Sequence, residues 1–255
     1  MKALSPCLWQ HVPLNLTLLP GMVHVFCATL DLSDELVHQL AQTLATDEQN
    51  RGNRFYFERD RKHFIACRGI LRWLLSRYLE IEPNQVQFNY GRYGKPELAH
   101  TAGGQRLCFN LSHSHGLALY AIASQRSVGI DLEYIRPLRD AEQLAKRFFS
   151  PREFEAIASL PQEHKQARFF DIWTFKEAYL KATGEGLAGL GTVEVRLNSQ
   201  TSETLLSINN DPQASERWTC TKLLPAPGYV GALVVEGDGW NQQCFRLDLD
   251  ILPPG

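Results

Sequence analysis

The chain has 255 residues, of which 44% are hydrophobic and 21% are charged, and its formal net charge is -2. This composition is typical of a globular protein with one large domain or two small ones, and it excludes collagen-like and disordered chains. The charge is nearly balanced, so no global positive field favours a nucleic-acid partner. Pro6, His11, Pro13 and Pro20 interrupt the apolar residues near the N-terminus, so we expect neither a signal peptide nor a membrane span.

The six cysteines are spread along the chain without a Cys-x-x-Cys pair. Most of them lie in apolar runs, which is typical of buried thiols in a reducing compartment and argues against zinc ligands or a disulfide framework. The sequence therefore predicts a cytoplasmic protein with free thiols. The cysteines are Cys7, Cys27, Cys67, Cys108, Cys220 and Cys244.

The first half of the chain predicts a strand, then helices, then short strands. Residues 21–30 have a strand pattern, and Ser33 is placed to cap the helix that follows. Apolar residues recur at helical spacing through residues 60–79, the strongest helix of this half, and Pro83 follows its end. Short strands are expected at 86–90, 107–111 and 116–123, between glycine-rich turns.

The second half predicts a strand, three helices and five further strands. Ser150 and Pro151 have the order of a helix N-cap and first helical residue, and Gly184 lies where a helix would end. The first strand, at 128–133, carries two acidic residues. Helices are expected near 140–149, 151–160 and 162–183, and strands near 192–197, 204–208, 218–224, 229–236 and 244–249.

The acidic strand and the last predicted helix carry the residues that indicate chemistry. Side chains alternate along a strand, so Asp131 and Glu133 share one face, close enough to hold one cation. A four-residue spacing stacks Trp173, Glu177 and Lys181 on one stripe of the helix. Mg²⁺ prefers oxygen ligands, with waters and phosphate oxygens completing an octahedron. The two segments together predict a site for a divalent metal and a phosphate ester.

Each segment taken alone has a plainer interpretation. Acids that alternate with apolar residues are typical of a half-buried strand with one solvated face. A Lys-Glu pair is typical of the solvated face of a helix. The His-Ser-His run at 113–115 could chelate zinc, although no third His or Cys lies at a supporting spacing in the sequence.

The segments together, in this order, are similar to the signature of the 4′-phosphopantetheinyl transferases, specifically the longer Sfp-type branch. Two segments that carry the resemblance are Gly-Ile-Asp-Leu-Glu at 129–133 and Trp-Thr-Phe-Lys-Glu-Ala-Tyr-Leu-Lys at 173–181. Two more are Tyr-Gly-Lys-Pro at 93–96 and Asn-Leu-Ser-His-Ser at 110–114. The resemblance spans roughly residues 20 to 240, nearly the whole chain.

The resemblance implies an α+β fold of two similar halves that are related by a pseudo-twofold axis, with the active site at their interface. It divides the chain into an N-terminal extension (1–20), an N-terminal α+β half (21–125) and a C-terminal α+β half (126–250) that carries the magnesium site. A weak internal similarity between residues 116–122 and 228–234, each a glycine followed by an apolar run, agrees with this division. The branch is typically monomeric.

The activity that the resemblance implies is transfer of the 4′-phosphopantetheine arm of coenzyme A to a serine of an apo carrier protein. Coenzyme A is then the co-substrate, Mg²⁺ is the cofactor, and adenosine 3′,5′-bisphosphate is released. The partner is an apo acyl carrier protein or a peptidyl or polyketide carrier domain, with no nucleic acid and no membrane. Two other classes stay open: a Mg²⁺-dependent phosphoesterase that uses water, and an inactive module that binds coenzyme A or a carrier protein.

The resemblance also implies roles for individual residues. The metal ligands would be Asp131, Glu133 and Glu177, and the catalytic residues Glu177, Lys181 and Asp131. Glu177 is also a hypothetical base for the serine proton, although metal ligation lowers the pKa of a carboxylate and makes it a poor base. The coenzyme A contacts would be Arg51, Arg54, Lys95, Pro96, Ser112, His113, Lys176 and Lys181, and basic residues that could receive an acidic carrier are Arg68, Arg72 and Arg77.

Overall fold

A computed structural model describes residues 7–13, 15–99, 106–138, 140–197, 204–208 and 216–248. The elements up to residue 124 are β1 (Trp9–His11), β2 (Met22–Thr29), α1 (Asp34–Gln42), α2 (Thr46–Gly52), α3 (Glu58–Leu79), β3 (Phe88–Tyr90), β4 (Pro96–Leu98), β5 (Leu107–Ser114) and β6 (Leu117–Ser124). Those that follow are β7 (Val128–Tyr134), α4 (Ala141–Phe148), α5 (Pro151–Ala158), α6 (Gln162–Thr183), β8 (Val193–Leu197), β9 (Thr204–Ile208), β10 (Trp218–Leu223), β11 (Tyr229–Glu236) and β12 (Asn241–Arg246). The fold is α+β, as predicted.

Local sequence signals account for most of these elements. Ser33 caps α1, because its hydroxyl accepts a hydrogen bond from Leu36 N at 3.3 Å. Ser150 and Glu153 form the reciprocal capping box of α5, with Glu153 N to Ser150 Oγ at 3.2 Å and Ser150 N to Glu153 Oε2 at 2.7 Å. The sequence prediction missed α2, β1 and β4. The α2 segment lacks an apolar stripe, and its buried residues are Glu48 and Gly52.

Two sheets and two hairpins organise the chain. The larger sheet has the strand order β1-β12-β2-β6-β5, and the smaller has the order β10-β11-β7. The hairpins are β3-β4 and β8-β9. β12 is parallel to both β1 and β2, whereas the other neighbouring strands are antiparallel. A shared apolar core that includes Val25, Leu119, Ile130 and Leu233 joins the two sheets.

The same succession of elements occurs twice. β2 is followed by three helices, a hairpin and two strands (β5 and β6), and β7 is followed by three helices, a hairpin and two strands (β10 and β11). Each series pairs its strands in the order first, last, middle: β2-β6-β5 and β7-β11-β10. The third helix of each series, α3 or α6, has 22 residues. β12 lies outside both series and pairs with β2 in the larger sheet.

The prediction that all the cysteines are free thiols is wrong. Cys7 and Cys244 form a disulfide whose Cα atoms are 5.8 Å apart. β1 pairs with β12 in parallel, which brings together two cysteines that are 237 residues apart in the sequence. No local spacing could have indicated this bridge, which is also unusual for a cytoplasmic protein. The remaining cysteines are free, and Cys27 and Cys67 among them are buried.

No helix within the described residues is long and apolar enough to cross a membrane. The longest helices, α3 and α6, carry charged residues along their length.

A buried histidine in β2 predicts a pH dependence of stability. His24 Nδ1 lies 2.6 Å from the Tyr78 hydroxyl of α3, and burial lowers the pKa of His24 from 6.5 to about 4. Between about pH 6.5 and 4, the His24 side chain therefore binds a proton in the unfolded chain but not in the folded protein. We expect the free energy of unfolding to fall between about pH 6.5 and 4, by up to about 3 kcal/mol from this group.

Urea unfolding across this pH range would measure the effect. His24→Asn should flatten the pH dependence relative to the wild type, whereas the exposed His38→Asn should leave it unchanged. Parallel curves for the wild type and His24→Asn would contradict the prediction.

Candidate active site

A cavity of about 430 Å³ lies between the two series of elements. Its walls come from α2 and α3, the turn before β4, β5, and the C-terminal half of α6 with the loop that follows it. The lining residues are Arg51, Phe55, Phe64, Cys67, Arg68, Tyr93, Gly94, Lys95, Pro96, Asn110, Leu111, His113, Glu177, Leu180, Lys181, Gly184, Gly186 and Leu187. Six predicted site residues from both series therefore share one cavity.

The acidic residues of β7 face polar groups of β5 and α6. Asp131 is only 4% exposed, and its Oδ1 accepts hydrogen bonds from Ser112 Oγ at 2.9 Å and from Lys181 Nζ at 2.6 Å. Glu133 Oε2 accepts a hydrogen bond from Ser114 Oγ at 3.3 Å. Lys181 also lines the cavity, so this side chain both contacts β7 and forms part of the cavity wall.

The three predicted metal ligands repel one another. Burial, and then the charge of Asp131, raises the pKa of Glu177 to about 6. The same two causes, in the same order, raise the pKa of Glu133. Asp131 Oδ2 and Glu177 Oε1 are buried and have no hydrogen-bond partner. Unpartnered buried carboxylate oxygens are destabilising, so this cluster favours a bound cation.

The donor set fits magnesium in its chemistry, because all three side chains offer oxygen. Within the described residues, however, no group of three or more His, Cys, Asp or Glu side chains is already gathered around a common point. Lys181 donates a hydrogen bond to one of the two carboxylate oxygens of Asp131. The zinc alternative also finds no support, since His115 stacks on Tyr134 with ring centroids 4.7 Å apart while His113 lines the cavity.

The predicted coenzyme A contact of Lys176 does not agree with its position. Lys176 is 1% exposed, and its Nζ lies 2.9 Å from Glu153 Oε2 and also donates to the Val193 carbonyl oxygen. Lys181 follows Lys176 by five positions, which is a rotation of about 140° around the helix axis. The two ammonium groups therefore point in different directions. Lys176 therefore joins α6 to α5 and β8, and we correct its predicted role.

The predicted carrier-receiving role of Arg68 and Arg72 is also wrong. Arg68 Nε lies 2.6 Å from Glu48 Oε1, and Arg72 Nε lies 2.5 Å from Glu48 Oε2. Both arginines are buried, as is Glu48. The three residues form an ion-pair cluster that fastens α2 to α3. Arg77 lies beside Trp73, with its guanidinium carbon 5.5 Å from the ring centroid.

The predicted coenzyme A contacts divide into those on the cavity wall and those outside it. Arg51 lines the cavity, with its guanidinium 5.5 Å from the centroid of Phe64. Lys95 Nζ donates to the Ala182 carbonyl oxygen at 2.8 Å, and burial lowers the pKa of this lysine. Pro96 and His113 also line the cavity, whereas Arg54 is exposed outside the wall and Ser112 is buried behind it.

Two protein-family models match adjoining parts of this chain. A model described as "4′-phosphopantetheinyl transferase, N-terminal" matches residues 32–127, and one described as "4′-phosphopantetheinyl transferase superfamily" matches residues 127–234. The 4′-phosphopantetheinyl transferase HetI of Nostoc sp. is 48% identical over 238 residues, which cover 93% of this chain and 98% of that relative. This chain belongs to the 4′-phosphopantetheinyl transferase family.

More distant relatives of the transferase carry the same activity in their names. The 4′-phosphopantetheinyl transferase psf-1 of Bacillus pumilus is 31% identical over 170 residues, covering 66% of this chain and 70% of the relative. The 4′-phosphopantetheinyl transferase Sfp of Bacillus subtilis is 28% identical over 168 residues, covering 66% and 72%. The Sfp-type resemblance is confirmed, and the transferase is an enzyme.

Sequence reasoning assigned no role to several polar residues around the transferase site. Glu48 and Glu153 hold buried cations, and each lies in a segment whose acidic residues are typical of solvated helix starts. Asn110 and Ser114 were part of a recognised motif, but their contacts depend on the position of β7. Only the alternation of Asn110, Ser112 and Ser114 along one strand could have indicated a shared function.

Proposed function

We propose that this transferase moves the 4′-phosphopantetheine arm of coenzyme A to a serine of an apo acyl, peptidyl or polyketide carrier protein in a Mg²⁺-dependent reaction. Adenosine 3′,5′-bisphosphate is the other product. The observation that carries this proposal is that Glu177 and Lys181 share one cavity with Arg51, Lys95 and His113. A cavity that carries a carboxylate and several cations suits a pyrophosphate ester together with a divalent metal.

Asp131, Glu133 and Glu177 are the proposed metal ligands. The unpartnered oxygens of Asp131 and Glu177, and the raised pKa values of Glu133 and Glu177, support this assignment. When bound, Mg²⁺ would neutralise charge on the pyrophosphate and on the leaving group.

The cationic side chains of the cavity are the proposed phosphate contacts. Lys181 lies between Asp131 and the cavity, so its ammonium can turn from the carboxylate to a pyrophosphate oxygen. Arg51, Lys95, Pro96 and His113 line the wall and are the proposed contacts for the adenosine end of coenzyme A. Arg54, outside the wall, is a proposed contact for the 3′-phosphate.

The chemical step is displacement at phosphorus. The serine oxygen forms a bond to the β-phosphorus while the bond from that phosphorus to the bridging oxygen breaks, and the serine proton passes to a base. Glu177, which lines the cavity, is the hypothetical base for this proton in addition to its proposed role as a metal ligand. Glu177→Gln should abolish turnover if the carboxylate is the base. Near-normal turnover with retained metal binding would exclude Glu177 as the base.

We also infer that the two series of elements form halves related by a pseudo-twofold axis, at 21–125 and 126–250, after an extension at 1–20. The repeated order of elements and of strand pairing supports this division. Both series contribute to the cavity within one chain, which supports a monomer. Coenzyme A and carrier proteins are the proposed ligands, with no nucleic acid or membrane, and we propose a cytoplasmic location.

Intact-protein mass spectrometry of an apo carrier protein tests the proposed reaction. Incubation with the transferase, coenzyme A and Mg²⁺ is expected to add one phosphopantetheine arm at the carrier serine, and a chelator should prevent the addition. Several carrier types should be tried, since the chain leaves the carrier class open.

Two other results would favour the alternative classes. Cleavage of coenzyme A without a carrier protein would indicate a phosphoesterase. Binding of coenzyme A with no gain of mass on any carrier would indicate an inactive binding module.

A further inference from the structure

Three polar side chains of β5 reach across to β7, although the two strands belong to different sheets. β5 is an edge of the larger sheet and β7 an edge of the smaller one, and their backbones pair with β6 and β11 respectively. The residues are Asn110, Ser112 and Ser114, which share one face of β5 because they alternate along the strand. We call their contacts with β7 the polar ladder.

Two contacts of the polar ladder satisfy the backbone of β7. Asn110 Oδ1 accepts a hydrogen bond from Ile130 N at 2.9 Å, and Ser114 Oγ accepts one from Tyr134 N at 3.1 Å. A buried backbone N–H without an acceptor is destabilising, so these side chains take the place of a neighbouring strand. Together they set the position of β7 along β5.

The other contacts of the polar ladder end on the acidic residues. Ser112 Oγ donates to Asp131 Oδ1 at 2.9 Å and accepts from Lys181 Nζ at 2.8 Å, so the single proton of its hydroxyl is already used. Ser114 Oγ donates to Glu133 Oε2 at 3.3 Å. Each serine therefore holds one carboxylate oxygen of its partner. Asp131 Oδ2, the oxygen that Ser112 does not hold, is buried without a partner.

We propose that the polar ladder is a positioning device that holds one oxygen of Asp131 and one of Glu133 and thereby directs the other oxygens at a divalent cation. The inference rests on the proposed magnesium site. It gives the Ser112 side chain a positioning role in place of the coenzyme A contact implied by the resemblance, since Ser112 is 7% exposed and its hydroxyl proton is already donated to Asp131.

The burial of these residues makes the contacts energetically important. Asn110, Ser112 and Asp131 are all buried, and hydrogen bonds in such surroundings are electrostatically stronger than in water. Residues that hydrogen-bond to metal ligands typically change metal affinity about 10- to 100-fold when they are removed. The serines of the polar ladder are therefore expected to affect metal binding in addition to the position of β7.

Titration of the transferase with Mn²⁺, followed by electron paramagnetic resonance in the presence of coenzyme A, tests this directly. Ser112→Ala and Ser114→Ala should each weaken Mn²⁺ binding about 10-fold or more. Ser112→Thr and Ser114→Thr, which keep the hydroxyl, should restore most of it. The matched control is Ser76→Ala, because Ser76 is equally buried and its hydroxyl donates only to the Trp73 carbonyl oxygen of α3.

Backbone amide exchange gives a second measurement that does not depend on metal. Asn110→Ala should speed exchange of the Ile130 amide, and Ser114→Ala that of the Tyr134 amide, because each loses its acceptor. Exchange in the middle of β11 should not change.

The outcomes separate this inference from the proposed transfer reaction. Wild-type Mn²⁺ affinity in both alanine variants, equal weakening by Ser76→Ala, or no Mn²⁺ binding by the wild type would overturn the positioning role, even if the wild type modifies a carrier protein. Selective loss of Mn²⁺ affinity in the two alanine variants would support it, even if no carrier protein is modified.

Discussion

Replacement of Asp131 by Asn is expected to lower kcat/KM for transfer of the phosphopantetheine arm by about 10³-fold or more. Asn keeps an oxygen that can accept the hydrogen bond of Ser112, but it removes the charge that pairs with Lys181. It also removes a proposed metal ligand, and stabilisation of charge in the transition state is usually the largest contribution to such reactions. The rate of mass gain on the carrier protein measures the loss.

The control for this variant is Asp34→Asn, because the Asp34 side chain is 83% exposed and lies on the surface of α1. Both variants should fold, and both should bind coenzyme A. Activity of Asp131→Asn within about tenfold of the wild type would exclude Asp131 from the catalytic machinery.

Replacement of Gly129 by Ala is expected to lower the free energy of unfolding by about 3 kcal/mol or more. A Cβ atom at Gly129 would overlap the Ala178 carbonyl oxygen and the backbone nitrogen of Ala182, and it would lie 2.9 Å from Ala182 Cα. These neighbours are backbone atoms of α6, so β7 and α6 would have to separate. α6 carries Glu177 and Lys181 while β7 carries Asp131, so the variant should also lose transfer activity.

Urea unfolding of Gly129→Ala beside Gly191→Ala measures this effect. A Cβ atom added at Gly191 would meet no other atom within 4 Å, and the Gly191 backbone is not left-handed, so its substitution should change stability little. If Gly129→Ala unfolds at the same urea concentration as Gly191→Ala, β7 and α6 are not in the close contact described.

The side-chain pattern of α6 was predictable because helical periodicity alone determines it. Glu177 and Lys181, four residues apart, were expected on one stripe, and both line the cavity. Asp131 and Glu133 were expected on one face of β7 by strand alternation, and both contact serines of β5. The boundaries of α6 and β11 also agree with the sequence pattern, since each element begins and ends at strong local signals.

The partners of charged and sulfur-containing side chains depended on tertiary structure. Lys176 was expected to contact coenzyme A, but the packing of α5 and β8 against α6 placed Glu153 beside it. Arg68 and Arg72 were expected to receive an acidic carrier protein, but the unpredicted helix α2 brought Glu48 to them. The Cys7–Cys244 bridge required a parallel pairing between the two ends of the described chain.

The physical reason for this division is the range of the interactions involved. Periodicity and capping are set by backbone geometry over a few residues, so the sequence by itself determined the elements and the direction of each side chain on its own element. Which elements pack together depends on burial summed over the whole core. Only the tertiary structure therefore decided that Ser112 meets Asp131 and Lys181, and that Lys176 turns away from the cavity.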